Sequence, residues 1–77
     1  MSEPTETIVA NLVRMAKAVQ ADERNFYPLS TGEQCAVALM LSRTDLLTHT
    51  GYPSIFAAID RVGAEWFAAA KLAERQL

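Results

Sequence analysis

Seven consecutive apolar residues, Cys35 to Leu41, constrain the fold of this chain more than any other feature. A segment apolar on every side must be enclosed by protein, so the remaining segments are expected to wrap it. The run is far shorter than the about 20 residues that span a bilayer. Periodicity alone leaves helix and buried strand open for so short a run. Local chemistry decides for helix. Ser30 and Glu33 have the spacing of a capping box, in which each side chain takes up an unpaired backbone N–H at the helix start. Ala, Leu and Met dominate the run and lose little conformational freedom in a helix; Val37 alone is β-branched. The reading is a buried helix over 31–42.

The flanking segments read as helices too. The first runs from Pro4 to Ala21: Ser2 or Thr5 supplies a cap, Glu3 and Glu6 suit the positive end of the helix dipole, and Pro4 is tolerated in a first turn. Its apolar residues fill an arc of roughly 160°, wider than one packing partner needs. Within that arc Ile8, Leu12, Met15 and Val19 step by four, three and four residues, the pattern of a two-heptad seam. Asp22 to Leu29 is a polar connector closed by Pro28, with Phe26 and Tyr27 either anchoring it to the core or forming the lip of a groove. After the central helix, Thr44–Leu47 reads as one short turn capped by Thr44, followed by a loop through Gly51. A third helix starts at Pro53, presents Ile55, Phe56, Ile59 and Val62, and stops at Gly63; a fourth runs from Ala64 to Gln76 with Trp66, Ala69, Ala70, Ala73 and Leu77 along one side. The expected fold is all-α: a single domain over 1–77, a small bundle of four helices wrapped around the buried helix. Its core is expected to hold Val37, Leu39, Leu41, Phe56, Ile59 and Trp66.

Size makes such a domain marginal alone, because a chain of 77 residues buries only about 60% of its unfolded surface. Small scaffolds usually need a disulfide, a metal or a partner. Cys35 is the single cysteine and His49 the single histidine, so neither an internal disulfide nor a clustered metal site is expected, and no cofactor. Self-association remains, and the Ile8–Leu12–Met15–Val19 seam is the expected homodimer interface. A lone thiol suits a reducing compartment, and the acidic start Met1-Ser2-Glu3-Pro4 has no apolar signal region. The expected setting is cytoplasmic, with no membrane association.

Chemistry is sparse. Nucleophilic catalysis needs a nucleophile, a base and an orienting group. Cys35 leads an apolar run and reads as an inert core thiol, and His49 lies in a polar loop without a flanking carboxylate. Gly51 and Gly63 are isolated, so no glycine-rich loop cradles a phosphate. The chain is therefore read as a non-enzymatic protein–protein interaction module with an unidentified protein partner. The alternative is a nucleic-acid-binding regulator acting as a dimer. A net charge of −2 and a pI near 5.2 give little general attraction to phosphate. A helix-turn-helix reading would use Ile55–Val62 as recognition helix, yet that segment carries Arg61 as its one cation, beside Asp60.

Gly51-Tyr52-Pro53-Ser54-Ile55 resembles the Gly-x-[Asp/His]-Ser-Leu attachment motif of phosphopantetheine carrier proteins, which are also short, acidic and four-helical. The resemblance implies a prosthetic arm on Ser54. Pro53 stands where those proteins have an acidic residue or His, and Ser54 lies later in the chain than their serine. The stretch from Ala38 to Trp66 also resembles short bacterial proteins of no assigned activity, a likeness that brings no residue role with it.

Overall fold

The computed structural model describes residues 3–77, with side chains from Glu6 onward. The caps expected of Ser2 or Thr5 and the dipole role of Glu3 lie outside the described residues. Among the described residues five α-helices follow one another, with one 3-10 turn after the first: α1 (Glu3–Ala21), the 3-10 turn (Glu23–Phe26), α2 (Thr31–Met40), α3 (Thr44–Leu47), α4 (Ile55–Val62) and α5 (Ala64–Glu74). No strand occurs among the described residues, and none of their helices is long and apolar enough to cross a membrane. The protein is all-α, as the sequence pattern predicts.

α2 begins where its capping box places it. Ser30 is extended and its Oγ accepts the Glu33 N–H at 3.3 Å, while the Glu33 carboxylate accepts the Ser30 N–H at 3.0 Å. Reciprocal caps of this kind are worth about 1 kcal/mol. The helix ends earlier than expected. Leu41 is the C-cap, and Ser42 turns left-handed at φ 55°. The Arg43 N–H reaches back to the Ala38 carbonyl at 2.9 Å and the Ser42 N–H to Leu39 at 3.2 Å, the paired bonds of a Schellman stop. Serine here holds the left-handed position that glycine usually takes, so residue chemistry alone gave no stop before Ser42.

Five consecutive residues, Gln34 to Ala38, are buried, together with Met40. α2 packs against α1, α3, α4 and α5, so the enclosure expected of the apolar run is real. Leu39 and Leu41 depart from it: both are half-buried and lie against the core rather than inside it. Trp66 is placed in the same way. Val37 is fully buried, as expected.

The expected seam on α1 is corrected. Leu12, Met15 and Val19 are buried within one chain at 0%, 8% and 3% exposure, and Ile8 packs against the same core. α1 lies along α5, whose Ala69, Ala70 and Ala73 are buried. Small side chains let helices approach closely, so one alanine-faced helix and α2 together fill the wide arc of α1. Apolar spacing records that a face is covered; it does not record which chain covers it.

The connector also resolves. Phe26 is fully buried and anchors the turn, whereas Tyr27 is exposed. Gln34, a buried polar residue on α2, donates from Nε2 to the Phe26 and Tyr27 carbonyls, each at 3.2 Å. The Phe26 carbonyl also accepts the Leu29 N–H at 3.2 Å, so the amide adds a second bond there and supplies a donor to the Tyr27 carbonyl. α3 is one turn whose N-cap is Arg43, without a side-chain cap; Thr44 lies inside it. α4 starts at Ile55, two residues after Pro53, because Ser54 is the cap: its Oγ accepts the Ala57 N–H at 3.0 Å.

Candidate functional site

α4 and α5 are joined by Gly63 alone, at φ 88° and ψ 159°. This backbone region is essentially restricted to glycine, because a Cβ would clash there. The single joint sets the two helices as walls of one groove. Ile59 and Phe67 stand four residues either side of Gly63, and Ile55 and Lys71 eight residues either side. Leu39 and Met40 from the end of α2 and Ala70 from α5 complete the apolar lining of a groove of about 240 Å³; Lys71 and Glu74 stand at its α5 edge.

The apolar side of α4 is wider than the side that packs. Ala58 is fully buried and Val62 half-buried against the core. Ile55 is 49% exposed and Phe56 81% exposed. This corrects the expected core: Phe56 is outside it, and Ile59 is half-buried in the groove wall. The reason is angular. At 100° per residue, Ala58 and Val62 take the direction facing α2, which turns Phe56 away from it. Scattered exposed apolar residues are ordinary on protein surfaces. Phe56 differs because it stands on the same helix face as Ile55 and Ile59, which line the groove, and contiguous apolar surface marks binding sites.

The charges around the groove are spare. Asp60 is exposed, one helical turn beyond Phe56. Lys71 holds its ammonium 5.4 Å from the centre of the Phe67 ring, a cation–π contact. Among the described residues, neither Asp60 nor Lys71 takes part in an ion pair.

A second polar cluster surrounds the connector. Arg43 forks onto Asp45 through Nε and Nη2 at 2.9 and 2.8 Å, and Nη2 also reaches Glu23 at 2.8 Å. The Tyr27 hydroxyl donates to Glu23 at 3.2 Å, and the Tyr27 ring meets His49 edge-on at 5.4 Å between centres. Hydrogen bonds from Arg43 hold the Asp45 carboxyl below its ordinary pKa, and Arg24 does the same for Asp22. Partial burial, then the Glu23 carboxylate, pushes the Tyr27 hydroxyl above its ordinary value. A depression of about 410 Å³ lies beside this cluster, lined by Val19, Gln20, Glu23, Leu41 and Arg43. Its charged groups already satisfy one another, which leaves little for a ligand to gain.

The remaining sequence candidates are each engaged elsewhere. Cys35 is buried in the apolar core. Ser54, the serine of the carrier-like motif, spends its hydroxyl oxygen on capping α4. Arg61 lays its guanidinium over Gly32 in the first turn of α2. Arg24 and Arg43 are paired with carboxylates. No group of three His, Cys, Asp or Glu side chains able to hold a metal ion occurs among the described residues. The groove itself had one legible signal, the excess of apolar residues on Ile55–Val62 over what so short a helix can bury. The chain matches no known protein family, and no curated protein or solved structure shows significant similarity to it.

Proposed function

We propose that this chain is a protein–protein interaction module that docks through the α4–α5 face. The observation that carries this reading is Phe56, 81% exposed on the same face as an apolar groove. Leaving such a side chain in water forgoes about 1.5–3 kcal/mol of burial, and a docked partner recovers it. The face has the anatomy of an interface: an aromatic anchor, an apolar centre and a charged rim of Asp60, Lys71 and Glu74. Binding rather than catalysis is supported by the burial of Cys35 in the core and by the use of the Ser54 hydroxyl oxygen as the α4 cap. A cytoplasmic setting fits the lone Cys35, which has no partner thiol in the sequence.

The test is a photo-crosslinking amino acid at position 56 in the living source cell, compared with the same group at Lys17, exposed on α1. Position 56 is expected to give discrete protein adducts, to copies of the chain or to other proteins, and position 17 only background. Background from both positions overturns the reading.

A further inference from the structure

We infer that the occupant of the α4–α5 groove is a second copy of this chain, docked about a two-fold axis with Phe56 of each copy in the groove of the other. This inference rests on the α4–α5 face being the docking surface. A two-fold interface demands that one face carry both halves of each contact, since residue i meets j while j meets i. This face does. Phe56 projects from α4 outside the groove that Ile55 and Ile59 help to line. The hollow is large enough: an apolar cavity of about 150 Å³ takes up benzene, and the groove measures about 240 Å³.

The charges complete the match. Asp60 stands one turn from the projecting ring, and Lys71 stands, three residues before Glu74, at the edge of the hollow that would receive it. A ring entering the opposite groove brings its Asp60 towards the other copy's Lys71, and the symmetry makes this contact twice. Neither residue has an ion-pair partner among the described residues, so no internal pair must break. Burying the face would also relieve the marginal surface-to-volume ratio of 77 residues.

Sedimentation at micromolar concentration tests this, with circular dichroism confirming that each variant remains helical. Wild type is expected at twice the 8.5 kDa chain mass. Phe56→Ser is expected at the monomer mass. Asp60→Lys and Lys71→Asp each set like charges opposite one another at both contacts, and each is expected to weaken dimerisation at least about tenfold. An equimolar mixture of those two variants restores opposite charges at both contacts and is expected to form mixed dimers. Wild type that stays monomeric at 100-fold higher concentration overturns the proposal. So does a mixture no more associated than its components, or a dimer that Phe56→Ser leaves intact. A monomeric wild type that still crosslinks from position 56 to a different protein separates the two ideas: the face is then a docking site and its occupant is foreign.

Discussion

α2 and α4 are two short apolar helices that meet opposite fates. α2 touches all four other α-helices and, from Gln34 to Met40, buries every residue except Leu39. α4 packs chiefly on α2 and α5 and buries only Ala58 completely. Both begin with a serine cap, and both are too short to persist in water alone. Apolar content therefore does not separate a helix enclosed by its neighbours from one left partly open. The number of neighbours around each helix does, and that number belongs to the tertiary arrangement.

The largest expected break of this contrast is a charge placed in each helix. Val37→Asp puts a carboxylate where exposure is 0%, costs at least about 3–5 kcal/mol, and is expected to unfold the domain by circular dichroism. Phe56→Asp is expected to change stability by less than about 1 kcal/mol in urea titrations of the monomeric form. Leu39→Asp should fall between them, because Leu39 is half-buried and lines the groove.

Gln34 comes next. Gln34→Ala leaves the Phe26 and Tyr27 carbonyls without their Nε2 donor and is expected to cost about 1–3 kcal/mol in urea titrations. An unchanged midpoint would mean that water replaces the side chain fully. The two caps sharpen the comparison at smaller scale. Ser30→Ala is expected to cost about 1 kcal/mol of global stability. Ser54→Ala should act locally instead, speeding amide exchange in α4 while the exchange of α2 stays the same. Equal effects on both helices would show that α4 unfolds only with the whole domain.

Much of α2 was legible in the sequence, because its start depends on two side chains three residues apart. Its end was not, since Ser42 adopts a left-handed turn that its identity does not advertise. The α1 face was legible as an apolar arc, but Leu12 could not reveal that α5 of the same chain covers it. The groove was half legible. The spacing of Ile55, Phe56, Ile59 and Val62 marks one face, while the direction of α2 relative to α4 decides that Ala58 is buried and Phe56 is not. Gln34 was illegible for the same reason: its partners are carbonyls of another segment.

The smallest expected effect lies in the polar cluster around the connector. Asp22 and Asp45 have folded pKa values below their ordinary ones, held down by Arg24 and Arg43. Their contribution is fully present above about pH 4 and is lost as pH falls through the lowered folded values. These are surface pairs, so the melting temperature should drop only slightly across that window, and less in high salt. Thermal melts of wild type and Arg43→Leu measure it; equal acid sensitivity in both would remove Asp45 from the account.

Gly63 joins the two walls of the groove through one pair of torsions and is not among the residues that line it. Grip and gauge are thus separate properties of this face. Changing Ile55 or Phe67 alters what the groove holds in one place. Changing Gly63 forces the backbone out of a conformation reserved to glycine and resets the spacing of both walls at once, for any occupant. A residue without a side chain thereby shapes a surface it does not line.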